Sequence, residues 1–341
     1  MASSWTASTD GPEDLFPLVH RRIDRALLGL GRVADIEDAT RRLLTTLPDE
    51  PVMLAVPLLV HAVETGDPEP AVPVSAVHRL WWTAAHVFDD WIDHCETRYP
   101  RGLSPGAALM AAVVCGLSLP ALIAVEDFPG SVLPEMIREF SFAWLESNDG
   151  QVRDLAGRPG GTDRQAILLT YRHKTGAAYG AACAMAATLS GCAPERSSRW
   201  REFGQTLGEL GQFRNDQEDL AGGRDEDLRN GTATFLLACL LETAADGPRR
   251  RILELLPRAR DSAEVRATLR RAMLAPGVVG ACLGQVAALR SSALEQLDQL
   301  GAGGAYGSML RGFVEEAAVP LPLLAAVERG ICPLGRADDQ L

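Results

Sequence analysis

Two clusters of carboxylates carry the chemistry that this sequence offers. In His86-Val87-Phe88-Asp89-Asp90-Trp91-Ile92-Asp93, helical spacing puts Asp89 and Asp93 one turn apart on the same face, with Asp90 beside them. The second cluster, Gly211-Gln212-Phe213-Arg214-Asn215-Asp216-Gln217-Glu218-Asp219, repeats the device: Asn215 and Asp219 share a face and Asp216 adjoins it. Carboxylates at i and i+4 repel one another, and the first set stands among Trp81, Trp82, Phe88 and Trp91, where charge is poorly solvated. Such oxygens suit a hard divalent cation. Facing each other across a cleft, the two clusters could hold several Mg²⁺ ions against a diphosphate. One acidic string of this kind is usually a solvated helix face, so a metal site requires both.

Between them lies Tyr171-Arg172-His173-Lys174-Thr175-Gly176, and Lys174 is the only lysine of the chain. A sequence that otherwise uses arginine has kept a compact ammonium here, which suits a phosphate oxygen.

The elements that must position these groups read as helices throughout. The 341 residues are 47% hydrophobic, mostly Ala and Leu rather than β-branched or aromatic residues. No strand-like alternation interrupts the pattern. Punctuation falls at Leu47 to Pro51, Thr65 to Pro68, Tyr99 to Gly102 and Gly157 to Gly161. About ten helices are expected, beginning near Pro51, Val74, Ser104, Ser131, Asp163, Glu195, Thr232, Ser262, Val278 and Gly304. No linker divides the interior, so one α-helical domain is expected over residues 13–332, with loose tails at 1–12 and 333–341.

The net charge of -12 excludes a basic face for nucleic acid. The seven cysteines show neither a CxxC pair nor zinc spacing, and read as reduced core thiols of a cytoplasmic protein. The first sixteen residues have neither the basic start nor the apolar run of a signal peptide. Leu103 to Val125 is uncharged and long enough to span a bilayer. Its Ala, Gly and Ser content, its two prolines and its amphipathic neighbours favour instead a helix buried within the domain, with no membrane span.

With these segments in view, the sequence resembles the trans-isoprenyl diphosphate synthases, the polyprenyl synthetase family, over about Arg41 to Leu240. Asp89 to Asp93 resembles the first aspartate motif, Gly150-Gln151-Val152-Arg153-Asp154-Leu155 resembles GQxxDL, and Lys174-Thr175-Gly176 follows in family order. Leu207 to Asp219 resembles LGxxFQxxDDxxD, and Asp227 to Thr234 resembles DLREGKxT with Thr232 in place of its lysine. The resemblance implies an all-α, class I isoprenoid-synthase fold, three Mg²⁺ ions and a homodimer. It also implies metal binding by Asp89, Asp90, Asp93, Asn215, Asp216 and Asp219. Diphosphate binding would fall to Arg98, Lys174, Gln212, Arg224 and Arg229.

The departures concern the second substrate of elongating members, isopentenyl diphosphate. Where they carry GGKRxRP, this chain has Leu44-Thr45-Thr46-Leu47-Pro48-Asp49-Glu50-Pro51-Val52, acid in place of base. Trp82 replaces a polar contact, and Arg98-Tyr99 replaces a paired Arg-Arg. This pattern implies an enzyme that ionises a fifteen- or twenty-carbon allylic diphosphate and lets the cation cyclise: a terpene synthase. Its apolar pocket is expected from Trp82, Ala84, Ala85, Phe88, Tyr171, Tyr179 and Phe213, the aromatics offering cation-π contacts. The alternatives are prenyl transfer to an aromatic or second allylic acceptor, and elongation through an isopentenyl site rebuilt from Arg79 or Arg101. A non-catalytic partner subunit is disfavoured, since it would have no use for metal ligands.

Overall fold

The computed structural model describes residues 11–31, 33–92, 102–161 and 163–330. Among them every regular element is helical. The helices run α1 (Phe16–Leu28), α2 (Ala34–Thr46), α3 (Pro51–Thr65), α4 (Val72–Ile92), α5 (Pro105–Val113), α6 (Leu119–Asp127), α7 (Leu133–Ala156), α8 (Arg164–Tyr171) and α9 (Ala177–Leu189). They continue with α10 (Pro194–Gly222), α11 (Glu226–Asn230), α12 (Phe235–Thr243), α13 (Asp246–Ala259), α14 (Ala263–Met273), α15 (Pro276–Gln299), α16 (Gly304–Ala318) and α17 (Pro322–Glu328). The ten expected starts fall within three residues of observed ones. Two π turns, Val114–Ser118 and Arg172–Gly176, divide α5 from α6 and α8 from α9 with no Gly-Pro break to announce them.

Local chemistry sets the ends. Pro51 opens α3, where its missing N–H costs nothing, and Gly66 closes it at φ 84°, a conformation that glycine adopts without a Cβ penalty. Ser104, Asp163, Thr234 and Ser262 each accept a backbone N–H at the start of α5, α8, α12 and α14.

The chain forms two compact units. In the first, made of residues 1–143, 178–204 and 298–310, α4 packs against α1, α3, α5 and α6. Val77, Leu80, Ala84 and Val87 of α4 are buried, and each large side chain so buried contributes about 2 kcal/mol. Within this unit the Glu64 carboxylate accepts hydrogen bonds from Arg196 Nε at 2.8 Å and Trp200 Nε1 at 2.6 Å, tying α3 to the start of α10. The apolar stretch Pro105–Asp127 is long and hydrophobic enough to cross a bilayer, yet half of its most apolar window is buried inside the protein. Pro276–Gln299 passes the same test of length and composition, with a third of its window buried. In the second unit, residues 144–177, 205–297 and 311–341, α12 packs on α8 and α14, and α13 on α11 and α14.

His78 illustrates what the first core demands. Its Nδ1 donates to the Met53 carbonyl at 3.0 Å, its ring meets Tyr179 nearly perpendicularly, and Nε2 has no hydrogen-bond partner. Burial therefore pulls its pKa from 6.5 down to about 4. The folded value lies below the unfolded one, so the stabilisation is full above about pH 6.5 and is lost as pH falls toward 4. In denaturant titrations, the loss of stability between about pH 7.5 and about pH 5 should be roughly 2 kcal/mol smaller in His78→Gln than in the natural protein. Equal losses would contradict this account.

Candidate active site

The first carboxylate cluster lies on α4. Asp90 is buried and Asp89 half-buried, both engaged by neighbouring groups. Asp93 and Arg98 lie outside the described residues. Around the same helix Ala84 is buried, while Trp82, Ala85 and Phe88 are half-buried. Trp82 meets Tyr179 at 5.9 Å and His86 at 5.0 Å between ring centroids, forming an aromatic cluster with His78. Tyr179 is itself buried, and its hydroxyl remains a neutral phenol at any physiological pH because burial raises its pKa.

Close to this cluster the acidic Leu47 to Glu50 segment is tied down from within. Arg79, 4% exposed, donates to the Asp49 carboxylate, to Thr83 Oγ1 and, at 2.7 Å, to the Leu47 carbonyl. Its guanidinium thus serves the protein's own loop, the use that a buried arginine fork with a carboxylate partner is suited to.

The second cluster lies in the second unit. Asp216 and Asp219 are buried on α10, whereas Asn215 is exposed. Asp216 Oδ2 accepts from the Tyr171 hydroxyl, and its Oδ1 from Gln212 Nε2 at 3.1 Å. Gln212 is held in turn by Thr175 Oγ1, which donates to its Oε1 at 2.6 Å. Asp219 accepts the backbone N–H groups of Glu226 at 3.0 Å and Asp227 at 3.2 Å. Lys174 Nζ is 2.9 Å from Asp154 Oδ2. The Lys174 backbone is fixed by Ser147, which donates to its carbonyl at 3.1 Å, and by Gly150, where any Cβ would collide with the Lys174 amide.

The electrostatics of this second cluster are dominated by desolvation and mutual repulsion. Burial raises the Asp216 pKa from 3.8 to about 7, opposed by the Tyr171 and Gln212 donors. Asp219 is raised for the same reason, and Asp227 is raised well above the usual carboxylate range by burial and by the neighbouring charges of Asp216, Asp219 and Asp154. Two turns before Asp216, burial lifts Glu209 to about 7 against its 3.1 Å bond from Arg172.

Among the described residues no three acidic, His or Cys side chains are gathered in a ready-made metal cage. The chemistry of the donor set nevertheless fits Mg²⁺. Asp216, Asp219 and Asp227 are oxygen donors whose charges depress one another's ionisation, and a divalent cation would favour the ionised form of each.

The remaining expected residues fall as follows. Arg224 is exposed, its Nε 3.8 Å from Asp219, and Arg229 is exposed with Nη2 directed at the Arg224 carbonyl. Phe213 is fully buried between Tyr171 and Phe235, at 5.2 and 5.0 Å. Tyr171 acts on Asp216 through its hydroxyl, a role that its reading as an apolar pocket wall did not contain. In the sequence Asp154 and Asp227 stand out only as members of the GQxxDL-like and DLREGKxT-like segments. The signal for them was present, since each is the acidic residue of a segment flanking the clusters.

A model described as polyprenyl synthetase matches residues 52–273. The chain belongs to the polyprenyl synthetase family. Members of this family use Mg²⁺ through their aspartate-rich motifs. Among its relatives is a short chain isoprenyl diphosphate synthase of Methanocaldococcus jannaschii, 23% identical over 212 residues, covering 58% of this chain and 64% of that protein. A second, from Methanothermobacter thermautotrophicus, is 24% identical over 232 residues, covering 62% and 69%. Solved structures share the fold: a geranylgeranyl pyrophosphate synthase (TM-score 0.78, 16% identity, 91% of this chain and 99% of that one) and the heptaprenyl diphosphate synthase of Staphylococcus aureus (TM-score 0.76, 16% identity, 91% and 99%). The all-α isoprenoid-synthase fold expected from the sequence is the one observed.

Because the Asp216 pKa is raised on folding, the metal-free protein should lose stability as pH rises from about 4 to about 7. Mg²⁺ binds the ionised form and should offset that loss. At about pH 7.5, a Mg²⁺ concentration roughly 100-fold above Kd should add about 2.7 kcal/mol to unfolding stability. The gain should shrink on acidification through about 7 and be largely absent in Asp216→Asn. Thermal melts with and without Mg²⁺ measure it directly.

Proposed function

We propose that this protein is a Mg²⁺-dependent enzyme that ionises a short allylic prenyl diphosphate and couples the cation to isopentenyl diphosphate, as a short-chain isoprenyl diphosphate synthase. The observation that carries the ionisation step is the second cluster, where the chain's only lysine stands at Asp154 and donors orient buried aspartates. The coupling step is supported by what the relatives are named for, which weighs toward elongation over the cyclisation expected from residue types.

In this reading Lys174 exchanges its bond to Asp154 for one to a diphosphate oxygen, a charge-assisted contact stronger than a neutral one. Gln212 and Asp216 keep their mutual orientation through Thr175 and Tyr171. Each cluster would hold metal in its own unit, Asp89, Asp90 and Asp93 in the first and Asn215, Asp216 and Asp219 in the second, and Arg98, Arg224 and Arg229 would add positive charge for a diphosphate. Bound Mg²⁺ supplies the Lewis acid that neutralises the departing diphosphate. The small Ala84 and Ala85 leave room for an alkyl chain, and Trp82, Phe88 and Tyr179 face the cation with aromatic surface worth about 0.5 to 2 kcal/mol per contact.

One observation favours a second reading, cyclisation by a terpene synthase. Asp49 and Glu50 stand where elongating relatives bind a second diphosphate, and Arg79, a candidate replacement, is spent on Asp49 and backbone carbonyls. Prenyl transfer to an aromatic acceptor is the variant of this reading in which Trp82 lines the acceptor site.

The protein is also proposed to act in the cytoplasm as a homodimer. The α5 to α6 stretch exposes Met110, Val113, Leu117, Leu122 and Val125, with Leu117 64% and Val125 69% exposed, an apolar surface that a second copy would cover.

Incubation with Mg²⁺ and ten-, fifteen- or twenty-carbon allylic diphosphates should give longer diphosphates only when isopentenyl diphosphate is added. Hydrocarbon or terpene alcohol formed without it would replace elongation by cyclisation, and turnover only on adding an aromatic acceptor would point to transfer. Light scattering after size exclusion should give a dimer mass for the natural chain and a monomer for Leu117→Glu. A monomeric natural chain would sink the dimer.

A further inference from the structure

Tyr171 stands outside the carboxylate clusters and the Lys174-Thr175-Gly176 segment, yet it is the residue that joins three parts of the second unit. It ends α8, is 5% exposed, and packs edge-on against Phe213 with ring centroids 5.2 Å apart. Its hydroxyl oxygen accepts the Phe235 backbone N–H at 3.0 Å, and its proton goes to Asp216 Oδ2. The two bonds are complementary. A phenol has one proton to give, and the Phe235 amide on its oxygen favours aiming that proton away, at the carboxylate. Phe213 sits three residues before Asp216 on α10 and packs on both Tyr171 and Phe235. The ring that places the hydroxyl is therefore fixed by the helix that carries its acceptor.

On the opposite oxygen, Gln212 Nε2 donates at 3.1 Å and is itself oriented by Thr175. Asp216 thus has one donor on each oxygen. An ionised carboxylate offers about four lone-pair sites, so two are used to fix its plane and the others stay open to a cation. The Phe235 amide belongs to the start of α12, immediately after the Asp227 to Thr234 segment, so Tyr171 also ties the carboxylate to that segment.

We infer that Tyr171 is a positioning residue for Mg²⁺ binding: it fixes the Asp216 carboxylate in the orientation that accepts the metal. The inference rests on the proposed role of Asp216 as a ligand. Loss of such an outer donor typically costs about 10- to 100-fold in metal affinity or activity. A structural role alone would instead lower thermal stability without changing the metal requirement.

The test compares the natural protein with Tyr171→Phe, which keeps the ring and removes the hydroxyl. Two readouts are taken: the Mg²⁺ concentration giving half of the thermal stabilisation produced by Mg²⁺ with inorganic diphosphate, and the Mg²⁺ dependence of turnover. Both midpoints should rise about tenfold in Tyr171→Phe, with kcat largely recovered at saturating Mg²⁺ and KM for the allylic diphosphate little changed. Thr175→Val, which releases the opposite arm through Gln212, should shift the midpoint in the same direction and serves if Tyr171→Phe fails to fold. Unmoved midpoints in a folded Tyr171→Phe, beside a natural protein that responds to Mg²⁺, would overturn the positioning role alone. A natural protein whose melting ignores Mg²⁺ and diphosphate would overturn the metal-site reading and the positioning role with it.

Discussion

The second unit is organised around a single difficulty, that several carboxylates are withdrawn from water within reach of one another. Desolvation and mutual repulsion both act against their ionised forms, which is why Asp216 and Asp227 are displaced furthest from ordinary carboxylate behaviour. The fold answers with fixed donors: the Tyr171 hydroxyl, the Gln212 amide and the backbone N–H groups of Glu226 and Asp227. These stabilise the cluster without cancelling its charge. Lys174 adds one full positive charge, paired with Asp154. A site whose carboxylates the protein alone leaves short of full ionisation is poised for an external cation, and a diphosphate reaches it most readily as a metal complex.

The first unit shows the reverse economy. Arg79 is buried with its charge directed to Asp49 and to carbonyls near the end of α2, so the positive charge is consumed in holding a loop. Asp49 lies at the surface while Arg79 is buried, so removing Asp49 would leave the guanidinium buried with its carboxylate partner gone. The loop is therefore anchored by the group that would have to leave it to serve a second diphosphate.

Much of this was legible in the sequence. Proline and glycine punctuation marked the ends of α2, α3 and α7 because those residues act through backbone sterics that tertiary contacts seldom override. The two clusters and Lys174 were legible because few other arrangements explain carboxylates at helical spacing beside apolar residues. The π turns were not, since they depend on packing across helices and not on residue type. Helical spacing placed Asn215 and Asp219 on one face, yet Asp219 is buried and Asn215 exposed, because Asp219 turns to the backbone amides that follow α10. Asp227 joins the cluster through the chain reversal between α10 and α11, which no periodicity encodes. Tyr171 read as an aromatic pocket wall because its ring was visible in the sequence and the partner of its hydroxyl was not. Asp93 and Arg98 lie outside the described residues; the role expected of Asp93 rests on helical spacing and the resemblance, and that of Arg98 on the resemblance.

The π turn explains how so short a segment serves so many groups. Tyr171 precedes it and Thr175 lies within it, and their hydroxyls reach Asp216 and Gln212, which are one turn apart on α10. Thr175 has a short side chain, so its reach requires the two backbones to lie close. Glycine makes that possible: a Cβ on Gly208 would stand 2.7 Å from the Gly176 Cα, and one on Gly176 would stand 2.9 Å from the Gln205 carbonyl. Even alanine at either position would force the segments apart, because the obstruction is backbone and cannot rotate away. The glycine of Lys174-Thr175-Gly176 is thus a spacing element, and the distance it permits is what lets Thr175 orient Gln212 while Tyr171 orients Asp216.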